Sequence, residues 1–185
     1  VPSQHQLARA ARVLRSGGVV AHVTEGVWGL ACDPLQVDTV LRVIALKRRD
    51  VARGLIVIGA TPEDLAPFVD PEAADAWDKA ARYWPGPVTC VLPARADTPW
   101  WLTGDHNSIA LRQTAHAPSA ALSRVFGGPL VSTSANLAGR PPVRSAWQVR
   151  ARLGHGVDFI LGSRADAPGV PSQIRDMRNG QILRG

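Results

Sequence analysis

An apolar run, Pro129-Leu130-Val131, opens directly into three hydroxyls and an amide: Ser132, Thr133, Ser134 and Asn136. Small polar side chains at the mouth of a strand offer hydrogen bonds without filling a pocket. Gly139 and the pair Pro141-Pro142 stiffen the exit from this segment. A second cluster, Lys47-Arg48-Arg49, closes an amphipathic helical pattern. Cations there either complement the helix dipole or present charge to an anionic ligand. Other familiar chemistries are missing. The chain has no P-loop lysine motif, no dinucleotide-binding glycine fingerprint and no Gly-x-Ser-x-Gly elbow. Its five histidines, His5, His22, His106, His116 and His155, are scattered, and Cys32 and Cys90 lack metal-ligand spacing. Phosphate chemistry would rest on Lys and Arg, on backbone amides and on a metal carried by the nucleotide, with no metal held by protein side chains.

The elements that must position these residues follow from periodicity. Ser3 caps a helix with Leu7, Ala10, Ala11 and Leu14 on one face, stopped by Gly17-Gly18. Val19 to Val23 reads as a strand. Val37, Val40, Leu41 and Ile44 give the stripe of the helix that delivers Lys47. Leu55 to Ile58 is a continuous apolar strand, as in a sheet covered on both faces. Thr61-Pro62 predicts an N-cap with Pro at N1. Asp70-Pro71 starts a helix turning Ala74, Trp77 and Ala81 inward. Trp84-Pro-Gly-Pro87 is a rigid turn before a strand from Val88 to Leu92. A strand from Ile109 to Leu111 ends at Arg112, and Pro118 to Phe126 is helical on Ala121, Leu122 and Val125. Ser145 with Gln148 gives a capping-box pattern, Val157 to Leu161 a strand, and Asn179-Gly180 a hairpin turn. Strands and helices interleave, so the expectation is one α/β domain over residues 1–185 with a mixed sheet.

Composition bounds the function. A chain of 185 residues can bury a good core. No apolar run is long enough to span a bilayer, and two unspaced cysteines fit reduced thiols in the cytoplasm. Net charge is +6, carried by 19 arginines against only Lys47 and Lys79. Arginine suits planar recognition of phosphate and carboxylate, although a coding bias accounts for the same excess. Eight arginines and three aspartates between Arg140 and Arg184 make either an anion- or RNA-binding surface or an ordinary solvated face.

Four segments in order carry a resemblance: His22-Val-Thr-Glu-Gly-Val-Trp-Gly-Leu-Ala-Cys-Asp-Pro34; Leu46-Lys-Arg-Arg49 with Gly54-Leu-Ile-Val57; Trp84-Pro-Gly-Pro-Val-Thr89; and Ser134-Ala-Asn136. Together they resemble the YrdC/TsaC family of threonylcarbamoyl-AMP synthases, in its short form, from about Gly17 onward. The resemblance implies a YrdC-like fold, a twisted mixed sheet flanked by helices with a large concave pocket. It implies a nucleotidyltransferase that joins L-threonine, bicarbonate (CO2) and ATP into threonylcarbamoyl-AMP, with Mg2+ carried by ATP. The product would serve N6-threonylcarbamoyladenosine (t6A) formation in tRNA, with t6A transferase machinery as a partner.

By matched position, the resemblance assigns Lys47 and Arg49 as the catalytic pair on the ATP phosphates, and Arg53, Ser108, Asn136, Arg144 and Arg184 to ATP. It assigns Thr24, Arg112, Ser134 and Ser172 to threonine. Glu25 would orient its loop or a metal-bound water. Three positions depart from the pattern: Val23 replaces a proline before Thr24, Asp50 stands where proline commonly follows Lys-x-Arg, and Ile58 stands where longer relatives carry a threonine-contacting histidine. The competing reading is a non-catalytic module binding tRNA or double-stranded RNA. A third is a carbamoyl-transfer domain of hydrogenase-maturation type, disfavoured because the accompanying domains are absent from the sequence.

Overall fold

A computed structural model describes residues 2–25, 27–162 and 172–184. Ser3 opens α1 (Gln4–Arg15) with a reciprocal capping box, its hydroxyl accepting from the Gln6 amide while the Gln6 side chain accepts from the Ser3 N–H. The chain then runs β1 (Val20–Val23), β2 (Trp28–Cys32), α2 (Val37–Leu46), β3 (Ile56–Gly59), α3 (Ala74–Ala81), β4 (Thr89–Pro93) and α4 (Trp100–Thr103). It continues with β5 (Ser108–Gln113), α5 (Ala117–Phe126), β6 (Leu130–Ser134), α6 (Ala146–Leu153), β7 (Phe159–Leu161), β8 (Ile174–Asp176) and β9 (Ile182–Arg184).

All these strands form one mixed sheet in the order β7-β1-β2-β6-β3-β5-β4-β8-β9. The pairs β1–β7, β3–β5 and β4–β8 are parallel and the rest antiparallel. One face packs Leu30, Val57, Leu92, Leu111 and Val131 with residues of α2, α3, α4 and α6. On the other face, Val20, Ala31, Ile58 and Leu130 pack beneath α1 and α5 through Leu7, Leu14 and Leu122. Because side chains alternate along a strand, this second face continues past α1 and α5 onto β5 and β4. There the sheet lies open to a large cavity.

Several local expectations shift. The helix expected from Asp70-Pro71 begins at Ala74, because the Asp70 carboxylate accepts from the Glu72 amide at 2.9 Å and bends the chain into a turn. Its buried positions are Ala76 and Ala80 with Trp77 partly covered, while Ala74 and Ala81 face outward. In α2 the buried stripe is Thr39, Val40, Val43 and Ile44, which leaves Leu41 exposed. Thr61-Pro62 starts only a short 3-10 turn, Pro62–Asp64. Among the described residues no helix is long and apolar enough to cross a membrane. Cys32 and Cys90 are both free and buried, and burial pushes each thiol up to about 12.

Candidate active site

The open face is built from alternate residues of five neighbouring strands. Ser108, Ala110 and Arg112 of β5, Ser132 and Ser134 of β6, Gly29 of β2, Ile56 of β3 and Val91 of β4 line one cavity of about 1010 Å3. Most of these side chains are small, which leaves the space above the sheet unfilled. A Cβ at Gly29 would sit 3.0 Å from Thr24 Cγ2 and 3.3 Å from the Thr133 carbonyl oxygen, so the strand admits no larger residue without displacement. Nine of the residues singled out in the sequence line this cavity: Thr24, Arg49, Arg53, Ser108, Arg112, Ser134, Asn136, Ser172 and Arg184.

Arg112 is the best-fixed cation. It is 4% exposed, and Nη1 donates to Thr89 Oγ1 at 3.1 Å and to Ser172 Oγ at 2.9 Å. Thr89 is the threonine of Trp-Pro-Gly-Pro-x-Thr, and it reaches Ser172 because β4 and β8 run parallel with Thr89 opposite Ile174. The other edge of the guanidinium behaves differently. Nε is buried without a partner among the described residues, and Nη2 has the Glu25 carboxylate 3.3 Å away as a counter-ion. Burial works to raise the Glu25 carboxyl, but Arg112 and the Thr114 hydroxyl outweigh it and hold it below the usual carboxylate range. Behind this group His22 is fully buried, and burial together with His116 lowers its imidazole to about 4, so it is neutral.

The second cationic group is Arg49, Arg53 and Arg184. Lys47 caps the C-terminus of α2, and Arg48 follows in the left-handed region with φ 49°, which turns Arg49 back over the helix end. Asp50 accepts from the Ala52 amide at 3.0 Å and caps the 3-10 turn Val51–Arg53, a role that a proline could not fill with its side chain. Gly54 and Gly104 let that turn press on α4: a Cβ on Gly104 would lie 2.2 Å from the Ala52 carbonyl oxygen. Arg49 donates from Nη2 to the Gly54 carbonyl at 2.8 Å, and its Nε is buried without a partner among the described residues. Its pKa is lowered by burial and then by the fields of Arg53 and Arg184. Arg184 is lowered by burial, Arg112 and Arg53. Mutually repelling, partly desolvated arginines stabilise a bound polyanion.

Ser172 joins the two groups, since Arg184 also donates to its hydroxyl, at 3.2 Å, and to its carbonyl at 2.8 Å. Thr24 closes the adjacent loop by donating from Oγ1 to the Val27 carbonyl at 2.7 Å. Asn136 donates to the carbonyls of Leu137 (3.0 Å) and Arg140 (2.6 Å), while its Oδ1 is buried without a partner among the described residues.

Two expected site residues do not line the cavity. Lys47 is 3% exposed, and its ammonium donates to the carbonyl of Ser134 and, at 2.7 Å, to that of Asn136, behind the cavity wall. Burial and the nearby Arg49 lower it to about 8. Arg144 lies exposed before α6, where its amide donates to Gln148 Oε1 at 2.7 Å, so its local structure serves the helix start. Sequence reasoning left Thr89, Thr114 and Asp176 without roles. Thr89 alone had a signal, as the last residue of a motif read as a scaffold turn. The cavity's carboxylates, Glu25 and Asp176, are each already beside an arginine. Among the described residues no cluster of three His, Cys, Asp or Glu side chains could hold a metal.

A model of the Sua5/YciO/YrdC family, described as telomere recombination, matches residues 12–185. The threonylcarbamoyl-AMP synthase of Nitrosococcus oceani is 46% identical over 175 residues, which cover 95% of this chain and 95% of that protein. The protein of the same name from Xanthomonas campestris pv. campestris is 45% identical over 186 residues, 100% of each. Among solved structures, P. abyssi Sua5 complexed with L-threonine matches with TM-score 0.86 and 31% identity. That match covers 94% of this chain but 51% of the P. abyssi chain, so the present chain spans about half its length.

Proposed function

This chain belongs to the Sua5/YciO/YrdC family, and on that premise we propose that it is an L-threonylcarbamoyladenylate synthase, a nucleotidyltransferase acting as one domain over residues 1–185. The observation that carries the reading is the two-part cavity: the Arg112 group meets the Arg49, Arg53 and Arg184 group at Ser172. An amino acid bound to the first and a triphosphate bound to the second would bring an amine and an α-phosphorus together.

The reaction divides into two steps. The threonine ammonium loses a proton to solvent, the neutral amine forms a C–N bond to CO2, and the nitrogen releases a second proton to solvent, giving an N-carboxylate. An oxygen of that carboxylate then attacks the ATP α-phosphorus, the bond to the bridging α–β oxygen breaks, and pyrophosphate leaves. The protein's task is orientation and charge stabilisation rather than covalent catalysis. Arg112 takes the threonine carboxylate through its Nε–Nη2 edge, which makes no hydrogen bond among the described residues. Thr24, Ser134 and Ser172 surround the amino acid. Arg49, Arg53 and Arg184 take the phosphates, with Ser108 and Asn136 on the nucleotide. Lys47 fixes the Ser134–Asn136 segment from behind and adds its charge to the phosphate side. Arg144 completes the nucleotide set from outside the cavity wall. Mg2+ enters only as a companion of the ATP phosphates. A module that merely bound RNA would need no buried, hydroxyl-anchored arginine in a cavity of this kind. The product passes to t6A transferase machinery and so to tRNA, which places the work in the cytoplasm.

The test is pyrophosphate release from ATP by the purified protein. Release should require both L-threonine and bicarbonate. Release that is indifferent to L-threonine would refute the reading.

A further inference from the structure

The cavity wall is strongly basic, yet an amino acid brings a cation as well as a carboxylate. Only two carboxylates line the described cavity, Glu25 and Asp176. Asp176 is spent: Arg178 donates to it from Nε at 3.0 Å, from Nη2 at 2.6 Å and from its amide at 2.9 Å. Glu25 is not. Its Oε1 accepts the Thr114 hydroxyl, and among the described residues Oε2 has the Arg112 Nη2 ion-pair contact, at 3.3 Å, and no side-chain hydrogen bond. A carboxylate offers about four acceptor sites, so Glu25 keeps capacity toward the cavity.

We propose that Glu25 binds the α-ammonium group of the amino-acid substrate and makes the site selective for zwitterions. The inference rests on the function proposed above. The Glu25 carboxylate lies 3.3 Å from Nη2 on the Nε–Nη2 edge of Arg112, so opposite charges stand side by side. The carboxylate and ammonium of an α-amino acid share one carbon, so one ligand can meet both charges together. An ammonium placed here without Glu25 would face the Arg112 guanidinium uncompensated in a partly desolvated site. Arg112 and Thr114 keep Glu25 ionised through the neutral range, so it holds the ammonium and is not the base that removes its proton. His22, His116 and Arg112 are the other charged or titratable groups around it, and burial keeps His22 neutral.

The experiment compares calorimetric binding of L-threonine with that of 2,3-dihydroxybutanoate of matching stereochemistry, in which a hydroxyl replaces the ammonium. The wild-type protein should bind L-threonine about tenfold or more tightly over the hydroxy acid, the scale of one charge-assisted hydrogen bond. Glu25→Gln keeps an acceptor for Thr114 and removes only the charge. It should weaken L-threonine by about tenfold or more and leave the hydroxy acid unchanged or tighter. Equal weakening of both ligands would reduce Glu25 to a structural prop and overturn the proposal, as would equal wild-type affinities, which need no variant. Threonine-dependent pyrophosphate release by the wild type, measured alongside, separates the two failures: if it persists, only the role of Glu25 falls; if it is absent, the proposed function falls with it.

Discussion

Lys47 Nζ donates to the Asn136 carbonyl oxygen at 2.7 Å, which ties the end of α2 to the segment that leaves β6. The Lys-x-Arg and Ser-x-Asn motifs are thus two halves of one clamp. Lys47→Ala should fold, lose about 1–3 kcal/mol of stability from the two carbonyls left unpaired, and lower turnover by about 100-fold or more. Thermal melts and pyrophosphate release read the two effects separately.

The same lysine gives a pH dependence. Its folded value of about 8 lies below the ordinary lysine value of about 10.4. Between these values the unfolded chain binds more protons, so this group makes the fold more stable as pH rises through that window. ATP affinity should nevertheless fall above pH of about 8 as the ammonium loses its charge. Lys47→Arg should keep ATP affinity flat over the same range. Calorimetry with ATP alone excludes the titrations of bicarbonate and the substrate amine.

Substrate choice follows from the hydroxyls around Arg112. L-Serine lacks one methyl contact, worth about 1 kcal/mol, and should be a poor substrate rather than a dead one. L-Valine leaves a hydroxyl partner unpaired and should be worse than serine. Relative kcat/KM values test the order, and equal use of valine contradicts a pocket that hydrogen-bonds the threonine side chain.

Arg184 and Arg144 should part company. Arg184 lines the cavity and shares Ser172 with Arg112, so Arg184→Ala should weaken ATP binding by about tenfold. Arg144 is exposed outside the lining, and Arg144→Ala should cost clearly less. ATP titrations of both variants without RNA decide the order.

Gly104 has φ 65° and no room for a Cβ beside Ala52. Gly104→Ala should cost about 3 kcal/mol and lower Tm by about 6–12 °C. It should also weaken ATP binding, because the displaced turn carries Arg53. A melt and an ATP titration of one variant check both.

Much of the site was legible because its residues alternate within short strands. Ser132 and Ser134 stand two apart at the mouth of one apolar run and Arg112 at the end of another; that they share a face follows from the register of β5 and β6 with β3. The pairing of Glu25 with Arg112 was not legible, because it depends on the order in which β2, β6, β3 and β5 assemble. The Thr89–Arg112–Ser172 contact similarly needs the parallel register of β4 and β8. Where Arg144 stands, at the start of α6 and outside the described cavity lining, depends on how α6 packs and not on its local motif. Ala74 and Ala81 face outward, against expectation, because the Asp70 turn delays the helix to Ala74 and Ala76 and Ala80 take the buried positions.

The most direct measurement traces the carbon. The protein is incubated with ATP, L-threonine and 13C-bicarbonate, and the nucleotide product is analysed by mass spectrometry. The account predicts an adduct of threonine and AMP that carries one labelled carbon, formed together with pyrophosphate. An unlabelled threonyl-AMP, or ADP with inorganic phosphate in its place, would contradict it.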